Sequence, residues 1–254
     1  MGDRMGRLDD RIIIVTGGAQ GIGKAFVEGF VAQGAKVAIA DINGPSAEAV
    51  AAQIGESGGE AMAVITDVSS QESTEAMAKA VLERWGRIDG LVNNAAFFQR
   101  PQITIGPIEE ISVEEWDRVM AVNLRGPFLT CRAVIGQMKE QNYGKIVNIS
   151  SGTVFSGRST THYVASKGGV IAFTRVLAKE VGNWNITVNS IAPGSTASDP
   201  EQDQARYEGR VPDRAIKRVE RPEDLVGAGI FLMSNESDFM SGQTMVVDGG
   251  AVVH

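Results

Sequence analysis

The sequence predicts an α/β fold in which a doubly wound parallel sheet lies between two layers of helices. Two observations predict it: short apolar, β-branched runs alternate with longer amphipathic stretches, and the first run leads directly into a glycine-rich turn. The chain has 254 residues, of which 43% are hydrophobic, a size and composition that suit one domain with a large core. We therefore expect a short tail over residues 1–10 and a single three-layer domain over 11–254.

The alternation of patterns defines the elements in order. Strands are predicted near 12–15, 36–40, 61–66, 88–92, 145–149 and 186–191, with helices near 22–33, 45–57, 71–85, 113–141 and 161–182. Because each strand is followed by a crossover helix, the strands are expected to be parallel, with ligands bound at their carboxyl ends. Residues 195–221 break this rhythm, since they are polar, charged and contain Pro200 and Pro212. We expect this segment to be a mobile lid over the site.

Charge and cysteine content narrow the classes of partner. A net charge of -7 and a pI near 5.0 argue against nucleic-acid and anionic-membrane surfaces, which need clustered Lys and Arg. The expected partners are small molecules or further copies of the chain. The single cysteine, Cys131, rules out an internal disulfide and is predicted to lie in the core. With no signal-like stretch in residues 1–10 and no run of about 18 apolar residues, we expect a soluble, cytoplasmic protein.

The glycine-rich turn after the first strand indicates a dinucleotide site. In the run from Thr16 to Gly23, glycines allow a tight turn and let the backbone approach a pyrophosphate at the start of the next helix. Such turns also arise merely to connect a strand to a helix. Asp41 ends the second strand, where a carboxylate can accept hydrogen bonds from an adenosine ribose and repel a 2′-phosphate. This favours NAD over NADP, although Asp41 could instead cap an ordinary turn.

Tyr163 and Lys167 are four residues apart and would share one face of a helix. A free phenol has a pKa of about 10 and is a poor base at neutral pH unless a nearby cation stabilises its phenolate. Lys167 is the candidate cation. An isolated pair of this spacing more often decorates a solvated helix, so the interpretation depends on the rest of the chain.

Taken in order, the motifs of nearly the whole chain resemble the short-chain dehydrogenases/reductases, in the form with about 250 residues and a Rossmann-type fold. The resemblance is carried by the following runs: Thr16-Gly17-x-x-x-Gly21-x-Gly23; Asp67-Val68; Asn93-Asn94-Ala95-Ala96; Asn123; Asn148-Ile149-Ser150-Ser151; Tyr163-x-x-x-Lys167; Asn189-x-Ile191-x-Pro193-Gly194; Gly242-Gln243-Thr244; and Val247-Asp248-Gly249-Gly250. Each motif alone is weak evidence for the family, but all of them occurring in this order is specific to it.

The resemblance implies a catalytic tetrad of Asn123, Ser151, Tyr163 and Lys167. Tyr163 would exchange the proton, Ser151 would bind the substrate oxygen, and Lys167 would lower the phenol pKa and hold the ribose. Asn123 would maintain a water-linked route to Lys167, unless it is a buried amide that braces its helix. The cofactor residues implied are Gly17, Gln20, Gly21, Ile22, Gly23, Asp41, Ile42, Asp67, Val68, Asn94, Ala95, Ala96, Tyr163, Lys167, Pro193, Gly194, Thr196 and Ser198.

Two departures from the family pattern bear on the site. The family usually has 13 residues from serine to tyrosine, whereas Ser151 precedes Tyr163 by 12 and Ser150 by 13. We prefer Ser151, because aligning the strand end fixes which side chain faces the site, but Ser150 stays an alternative. The second departure is Ser195-Thr196-Ala197-Ser198, where the family often has an aliphatic residue and then threonine; Thr196 could use its backbone and Ser198 its hydroxyl.

The resemblance places the substrate pocket after the fourth strand, in the loop before Tyr163 and in the lid. The pocket residues expected there are Phe97, Phe98, Ser151, Thr153, Val154, Phe155, His162 and Tyr207. These residues would form an apolar, partly aromatic wall. The stretch from Arg221 to His254 resembles NAD-dependent dehydrogenases of cyclic or aromatic secondary alcohols, which implies NAD-dependent oxidation of a secondary or cyclic alcohol with no metal required. Alternatives are a 3-oxoacyl-carrier-protein reductase or sugar dehydrogenase, and a non-catalytic NAD-sensing protein. The family also implies a homotetramer.

Overall fold

A computed structural model describes residues 6–98, 103–198 and 204–253. Within them a seven-stranded sheet has the order β3-β2-β1-β4-β5-β6-β7, and every neighbouring pair is parallel. The strands are β1 (Ile12–Thr16), β2 (Lys36–Asp41), β3 (Glu60–Ile65), β4 (Gly90–Asn93), β5 (Gly144–Ile149), β6 (Ile186–Pro193) and β7 (Thr244–Val247). The order reverses between β1 and β4, so the carboxyl ends of these strands border the crevice where such sheets bind ligands.

Helices cover both faces of the sheet, which confirms the predicted α/β class. They are α1 (Gly21–Val31), α2 (Gly44–Glu56), α3 (Gln71–Trp85), α4 (Val113–Met120), α5 (Gly126–Gln141), α6 (Thr153–Ser156), α7 (Thr161–Val181), α8 (Gln204–Glu208) and α9 (Glu223–Met233). No helix among the described residues is both long and apolar enough to cross a bilayer. The sequence patterns did not predict α9 or β7 as separate elements.

Strand β1 shows how the sheet divides the core into two layers. Ile13 and Val15 pack on one face with Phe26 and Phe30 of α1, whereas alternate residues of the strand pack on the other face. This alternation follows from the two-residue period of a strand. Cys131 of α5 lies in the second layer, 1% exposed, and burial raises the pKa of its thiol to about 12. The predicted core position of this cysteine is therefore confirmed.

The helix predicted over 113–141 contains a wider turn. Residues Ala121–Arg125 form a π-helical turn between α4 and α5. Pro127 has no N–H and cannot donate to the carbonyl of Asn123 four residues earlier, which disfavours a regular α-helical turn at this point. Periodicity alone does not reveal this break, although the proline is visible in the sequence.

Two segments pack more closely than predicted. Within the expected tail, Leu8 is fully buried and its N–H donates to the Gln33 carbonyl at 2.9 Å, so the core begins before residue 11. Within the expected lid, Arg214 and Glu220 are 2% and 5% exposed and form an ion pair of 3.3 Å. The second half of that segment is therefore anchored to the domain. Residues 1–5 of the tail and 199–203 of the lid lie outside the described residues.

A chain of buried polar side chains crosses the sheet beneath the carboxyl ends of β4 and β5. The Thr130 hydroxyl donates to Asn93 Oδ1 at 2.5 Å, Asn93 Nδ2 donates to Asn148 Oδ1 at 2.8 Å, and Asn148 Nδ2 donates to the Thr174 hydroxyl at 2.9 Å. Asn93 is 4% exposed and the other three are fully buried. The chain joins α5 to α7 through the two central strands.

Candidate active site

The glycine turn has the shape of a phosphate cradle. Gly17 and Gly21 adopt φ angles of 62° and 54°, which residues with a Cβ rarely adopt. A Cβ on Gly23 would lie 2.0 Å from the Gly17 carbonyl oxygen, so no side chain fits there. The Gln20 side chain makes no capping hydrogen bond to α1, whose N-terminus is thus not capped by that residue. These residues fit a dinucleotide pyrophosphate.

Thr16 and Asn94 tie the glycine turn to the end of β4. The Thr16 hydroxyl oxygen accepts hydrogen bonds from the N–H groups of Asn94 (3.0 Å) and Ala95 (3.1 Å). The Asn94 side chain donates to the carbonyls of Thr16 (3.0 Å) and Gly17 (2.9 Å). Thr16 was not among the predicted site residues; its place directly before the glycine turn is the signal that could have found it.

The carboxylate of Asp41 lies at the carboxyl end of β2 and is 9% exposed. One oxygen accepts from Ala19 N and the other from Asn43 N, both at 3.0 Å. Asp41 therefore holds in place both the glycine-rich turn before α1 and the turn after β2, as expected if it caps a turn. A carboxylate oxygen accepts more than one bond, so this bracing leaves capacity for ribose hydroxyls. The neighbouring Ile42 is 72% exposed.

Asp67 and Val68 follow β3, as the motif order predicts. The Asp67 carboxylate accepts from Ser69 N at 2.9 Å and from the Ser69 hydroxyl at 2.7 Å, which holds the turn after the strand. Val68 is 7% exposed and borders a small space with Ala95 and Pro127. These contacts bring the loop after β3 to the loop after β4, although β2 and β1 separate the two strands in the sheet.

Tyr163 and Lys167 lie on the same side of α7. The Lys167 amine is 5.9 Å from the centroid of the Tyr163 ring and donates to the Ile149 carbonyl at 2.7 Å. Lys167 is 2% exposed, and burial lowers the pKa of its amine to about 8. The Phe98 ring lies against Tyr163, with 4.2 Å between their centroids. The amine is thus held near the phenol ring inside the protein.

The structure gives the two candidate serines different partners. The Ser150 hydroxyl is 2% exposed and donates to the Lys167 carbonyl at 2.9 Å, which anchors β5 to α7. The Ser151 oxygen accepts from the N–H of Thr153 at 3.2 Å and from its hydroxyl at 2.9 Å. Because Ser150 is engaged with the helix backbone, the geometry favours Ser151 as the substrate-facing residue.

Asn123 lies in the π-helical turn and is fully buried. Its carbonyl oxygen accepts from Phe97 N at 2.7 Å, and its amide nitrogen donates to the Phe97 carbonyl and the Ser166 hydroxyl, both at 3.3 Å. These bonds clamp the loop after β4 to α7. These bonds agree with the alternative in which Asn123 is a buried amide that braces its helix. A water-linked route from Asn123 to Lys167 stays a prediction.

The loop after β6 approaches the glycine turn. The Ser198 carbonyl oxygen lies 2.9 Å from where a Cβ on Gly21 would be. The Thr196 hydroxyl donates to Glu220 Oε1 at 2.8 Å, and the Gly194 N–H donates to the same oxygen at 3.2 Å. Burial raises the pKa of Glu220, although bonds from Thr196 and the nearby Arg214 oppose this. The Thr196 side chain is thus bound inward to Glu220.

The predicted pocket residues do not all meet. Phe98 contacts Tyr163, Thr153 contacts Ser151, and Phe97 packs beneath the Arg118 guanidinium at 4.3 Å. Val154 is half-buried and faces Gly168 of α7.

Three further predicted pocket residues are buried or border another cavity. His162 is fully buried with Nε2 2.8 Å from Glu115 Oε1, because the first turn of α7 packs on α4, so it does not line an open pocket. Tyr207 is 4% exposed. Phe155 borders a cavity of about 560 Å³ between α7 and the start of β7, together with Arg175, Lys179 and Thr244. The burial of His162 and Tyr207 leaves them little surface to offer a ligand, and the pocket role of all three residues stays a prediction.

Comparison with known proteins covers nearly the whole chain. A family model described as enoyl-(acyl carrier protein) reductase matches residues 17–252. D-threitol dehydrogenase of Mycolicibacterium smegmatis is 37% identical over 97% of this chain and 95% of that protein. Cyclopentanol dehydrogenase of Comamonas testosteroni is 36% identical over 97% and 98%. The crystal structure of levodione reductase superposes with a TM-score of 0.89 at 32% identity, covering 95% of this chain and 97% of that one.

These matches extend from the glycine turn through the Tyr163–Lys167 helix to the last strand, and they agree with the seven-stranded sheet and its order of motifs. The chain belongs to the short-chain dehydrogenase/reductase family.

Proposed function

We propose that the protein is an NAD-dependent oxidoreductase that interconverts a secondary or cyclic alcohol and its carbonyl compound, with Tyr163 as the general acid–base. The observation that carries the proposal is the buried Lys167 amine, held by the Ile149 carbonyl and 5.9 Å from the Tyr163 ring centroid. A cation in this position stabilises the phenolate and so makes Tyr163 able to accept a proton. The nicotinamide cofactor, when bound, accepts or supplies the hydride.

The residues around the phenol have distinct roles in the proposal. Ser151 donates a hydrogen bond to the substrate oxygen as charge develops on it. Lys167 holds the ribose hydroxyls and supports the phenolate, and Asn123 keeps the loop after β4 against α7 through its bonds to Phe97 and Ser166. Gly17, Gly21 and Gly23 make room for the pyrophosphate. The proton therefore leaves or enters the site through Tyr163.

Asp41 supports the preference for NAD. Its carboxylate lies at the end of β2, is 9% exposed, and is held in place by Ala19 N and Asn43 N. A 2′-phosphate bound beside it would bring two negative charges into a poorly solvated site. Ile42 and Asn43, which follow it, carry no positive charge to compensate. The balance favours a cofactor with free ribose hydroxyls.

The Phe98 ring against Tyr163 favours a substrate with an apolar body. Its centroid is 4.2 Å from that of the catalytic phenol, so a hydrocarbon ring bound at Tyr163 would contact an aromatic wall. A relative whose name specifies a cyclic substrate, cyclopentanol dehydrogenase, agrees with this choice. D-threitol and sorbitol dehydrogenases are also relatives, so polyols belong in the same test.

The test is an assay of the purified protein with cyclopentanol, a cyclic diketone, D-threitol and sorbitol, each with NAD and with NADP in the matching redox state. We expect turnover with NAD and loss of turnover by at least about a hundredfold in Tyr163→Phe, because one proton-transfer group contributes about that much. Binding of NADH, followed by fluorescence, should be retained in that variant.

Tyr143→Phe is the matched control. The Tyr143 hydroxyl is buried and has no hydrogen-bond partner among the described residues, and burial raises its pKa to about 12. Removing it should leave turnover unchanged. Full activity of Tyr163→Phe would refute the catalytic role, and faster turnover with NADP than with NAD would refute the cofactor preference.

A further inference from the structure

The oxygen of Ser151 has both of its acceptor positions filled by one neighbour. A serine hydroxyl offers one donor and two acceptor lone pairs. Here Thr153 donates twice to that oxygen, from its N–H at 3.2 Å and from its hydroxyl at 2.9 Å. Only the O–H of Ser151 is then left to form a further bond, so this side chain is set to donate.

Local backbone bonds fix Thr153 in this position. The Gly152 N–H donates to the Pro193 carbonyl at 2.7 Å, and the Val154 N–H donates back to the Ser151 carbonyl at 3.1 Å. Helix α6 then runs from Thr153 to Ser156 and is followed by Gly157, whose φ of 66° terminates the turn. The Thr153 hydroxyl thus belongs to a short, well-bonded turn that connects β5 to the loop before α7.

The neighbouring serine shows the contrast. The Ser150 hydroxyl donates to the Lys167 carbonyl at 2.9 Å, so its proton is already committed to the protein. The proton of Ser151 is not directed to Thr153, because Thr153 is the donor in that bond. Of the two hydroxyls at the end of β5, only that of Ser151 donates no hydrogen bond to a described residue of the protein.

We propose that Thr153 is a positioning residue that makes Ser151 an obligatory hydrogen-bond donor to the substrate oxygen. The inference rests on the proposed function, since it assigns the mechanism by which Ser151 acts there. Two accepted hydrogen bonds polarise the Ser151 O–H and strengthen the bond that it donates. They also prevent the rotamer in which a serine lone pair would face the developing negative charge of the substrate oxygen.

The test compares two substitutions that differ in one group. Thr153→Val keeps the shape of the side chain and removes the hydroxyl, whereas Thr153→Ser keeps the hydroxyl and removes a methyl group. We expect kcat/KM to fall about five- to tenfold in the valine variant, the effect of one hydrogen bond near the reacting oxygen, and to stay within about twofold in the serine variant. The loss should appear in kcat, with NADH affinity unchanged.

A double-mutant cycle with Ser151→Ala separates positioning from direct substrate contact. If Thr153 acts through Ser151, adding Thr153→Val to Ser151→Ala causes no further loss. An equal five- to tenfold loss in both backgrounds would mean that Thr153 binds the substrate itself and would overturn the inference. Thr153→Ala provides a second variant without the hydroxyl, and melting temperatures check that the variants are folded.

Different results would overturn the role of Thr153 and the proposed function. Full kcat/KM in Thr153→Val and Thr153→Ala, with Tyr163→Phe and Ser151→Ala inactive, would overturn the role of Thr153 and leave the proposed function standing. Retained turnover in Tyr163→Phe and Ser151→Ala would overturn the proposed function together with this inference. A lower kcat/KM in Thr153→Val, together with a kcat/KM close to that of the parent protein in Thr153→Ser, supports the role of Thr153.

Discussion

Lys167 is a buried cation with a single described hydrogen-bond acceptor, the Ile149 carbonyl at 2.7 Å. Taking its charge out of water is unfavourable, and this desolvation lowers the pKa of the amine to about 8 from its ordinary value of 10.5. The folded protein therefore releases this proton at a lower pH than the unfolded chain does. A buried amine that is placed to stabilise a phenolate therefore destabilises the cofactor-free protein at neutral pH.

The pH dependence of stability should reveal this cost. Below about pH 8 both states hold the proton, but between about pH 8 and 10.5 only the unfolded state does, so the free energy of unfolding rises with pH by up to about 3 kcal/mol. Lys167→Met should lack this rise. Urea unfolding of the cofactor-free proteins at about pH 7 and about pH 10 measures the difference.

Lys79→Met is the control for that measurement, because the Lys79 side chain is 76% exposed on α3. It should show the same pH dependence as the parent protein. A Lys167→Met variant whose stability rises over this range as steeply as that of the parent would contradict the assignment of the titration to the buried amine.

At single positions, the sequence predicted candidate site residues better than it predicted their hydrogen-bond partners. The spacing of Tyr163 and Lys167 predicted a shared helix face, because helical periodicity is local. The partner of His162 was not predictable, since Glu115 is 47 residues away and meets it only through the packing of α4 on α7. The bracing role of Asn123 likewise depends on Phe97, which is brought near by the sheet.

Among the elements, the glycine turn leaves the least space for a side chain. Gly23 lies at the start of α1, where a Cβ would approach the Gly17 carbonyl to 2.0 Å and the Asn94 side chain to 2.6 Å. The contact is with backbone on one side, and backbone cannot rotate away as a flexible side chain can. The turn therefore admits a cofactor only while this position has no side chain.

Gly23→Ala should lower NADH affinity by at least about tenfold and reduce the free energy of unfolding by about 1–3 kcal/mol, the typical cost of an unrelieved overlap. Gly55→Ala is the matched control, because Gly55 lies in α2 and a Cβ there would meet nothing within 4 Å. That variant should bind NADH normally and be up to about 1 kcal/mol more stable. Calorimetric titration and urea unfolding give both numbers; normal NADH affinity in Gly23→Ala would contradict the cradle.

The elements differed in how well the sequence predicted them. Strands β1 and β5 are buried over their whole length, and β1 reads as a continuous apolar run from Ile12 to Val15. Strand β7 is half-buried at every residue, so its pattern is weaker. The π-helical turn Ala121–Arg125 lies next to Pro127, whose missing N–H disfavours a regular α-helical turn, but a proline alone does not predict a wider turn.

For the molecule as a whole, apolar side chains left at the surface suggest association between copies. Phe239, just before β7, is fully exposed, and Val176 on α7 is 68% exposed. These residues flank the elements that border the cavity of about 560 Å³. A tetramer, which the family resemblance implies, would cover such surfaces and stays a prediction.

Light scattering tests this prediction directly. We expect a mass of four chains for the parent protein and a smaller species for Phe239→Asp, because a buried unpaired charge opposes association. Ile65→Asp is the control, since Ile65 is 67% exposed at the end of β3 on the opposite edge of the sheet. A monomeric parent protein, or equal effects of the two substitutions, would contradict the proposed surface.

The overall architecture was predictable because its signals are redundant. The alternation of strands and helices, the glycine turn and the order of motifs all indicate one doubly wound sheet, and the structure agrees. The positions of loops could not be predicted in the same way. The approach of Ser198 to Gly21 and the cavity beside Phe155 arise from long-range packing, which no local pattern encodes.

The buried amides under the site have a consequence for the alignment of the sheet. Asn93 and Asn148 occupy directly paired positions in β4 and β5 and are bonded to each other. If one strand slid by a residue, each amide would face aliphatic neighbours with its polar atoms unsatisfied. The pair therefore fixes the register of the two strands, and with it the points at which the loops that carry Ala95 and Ser151 leave the sheet.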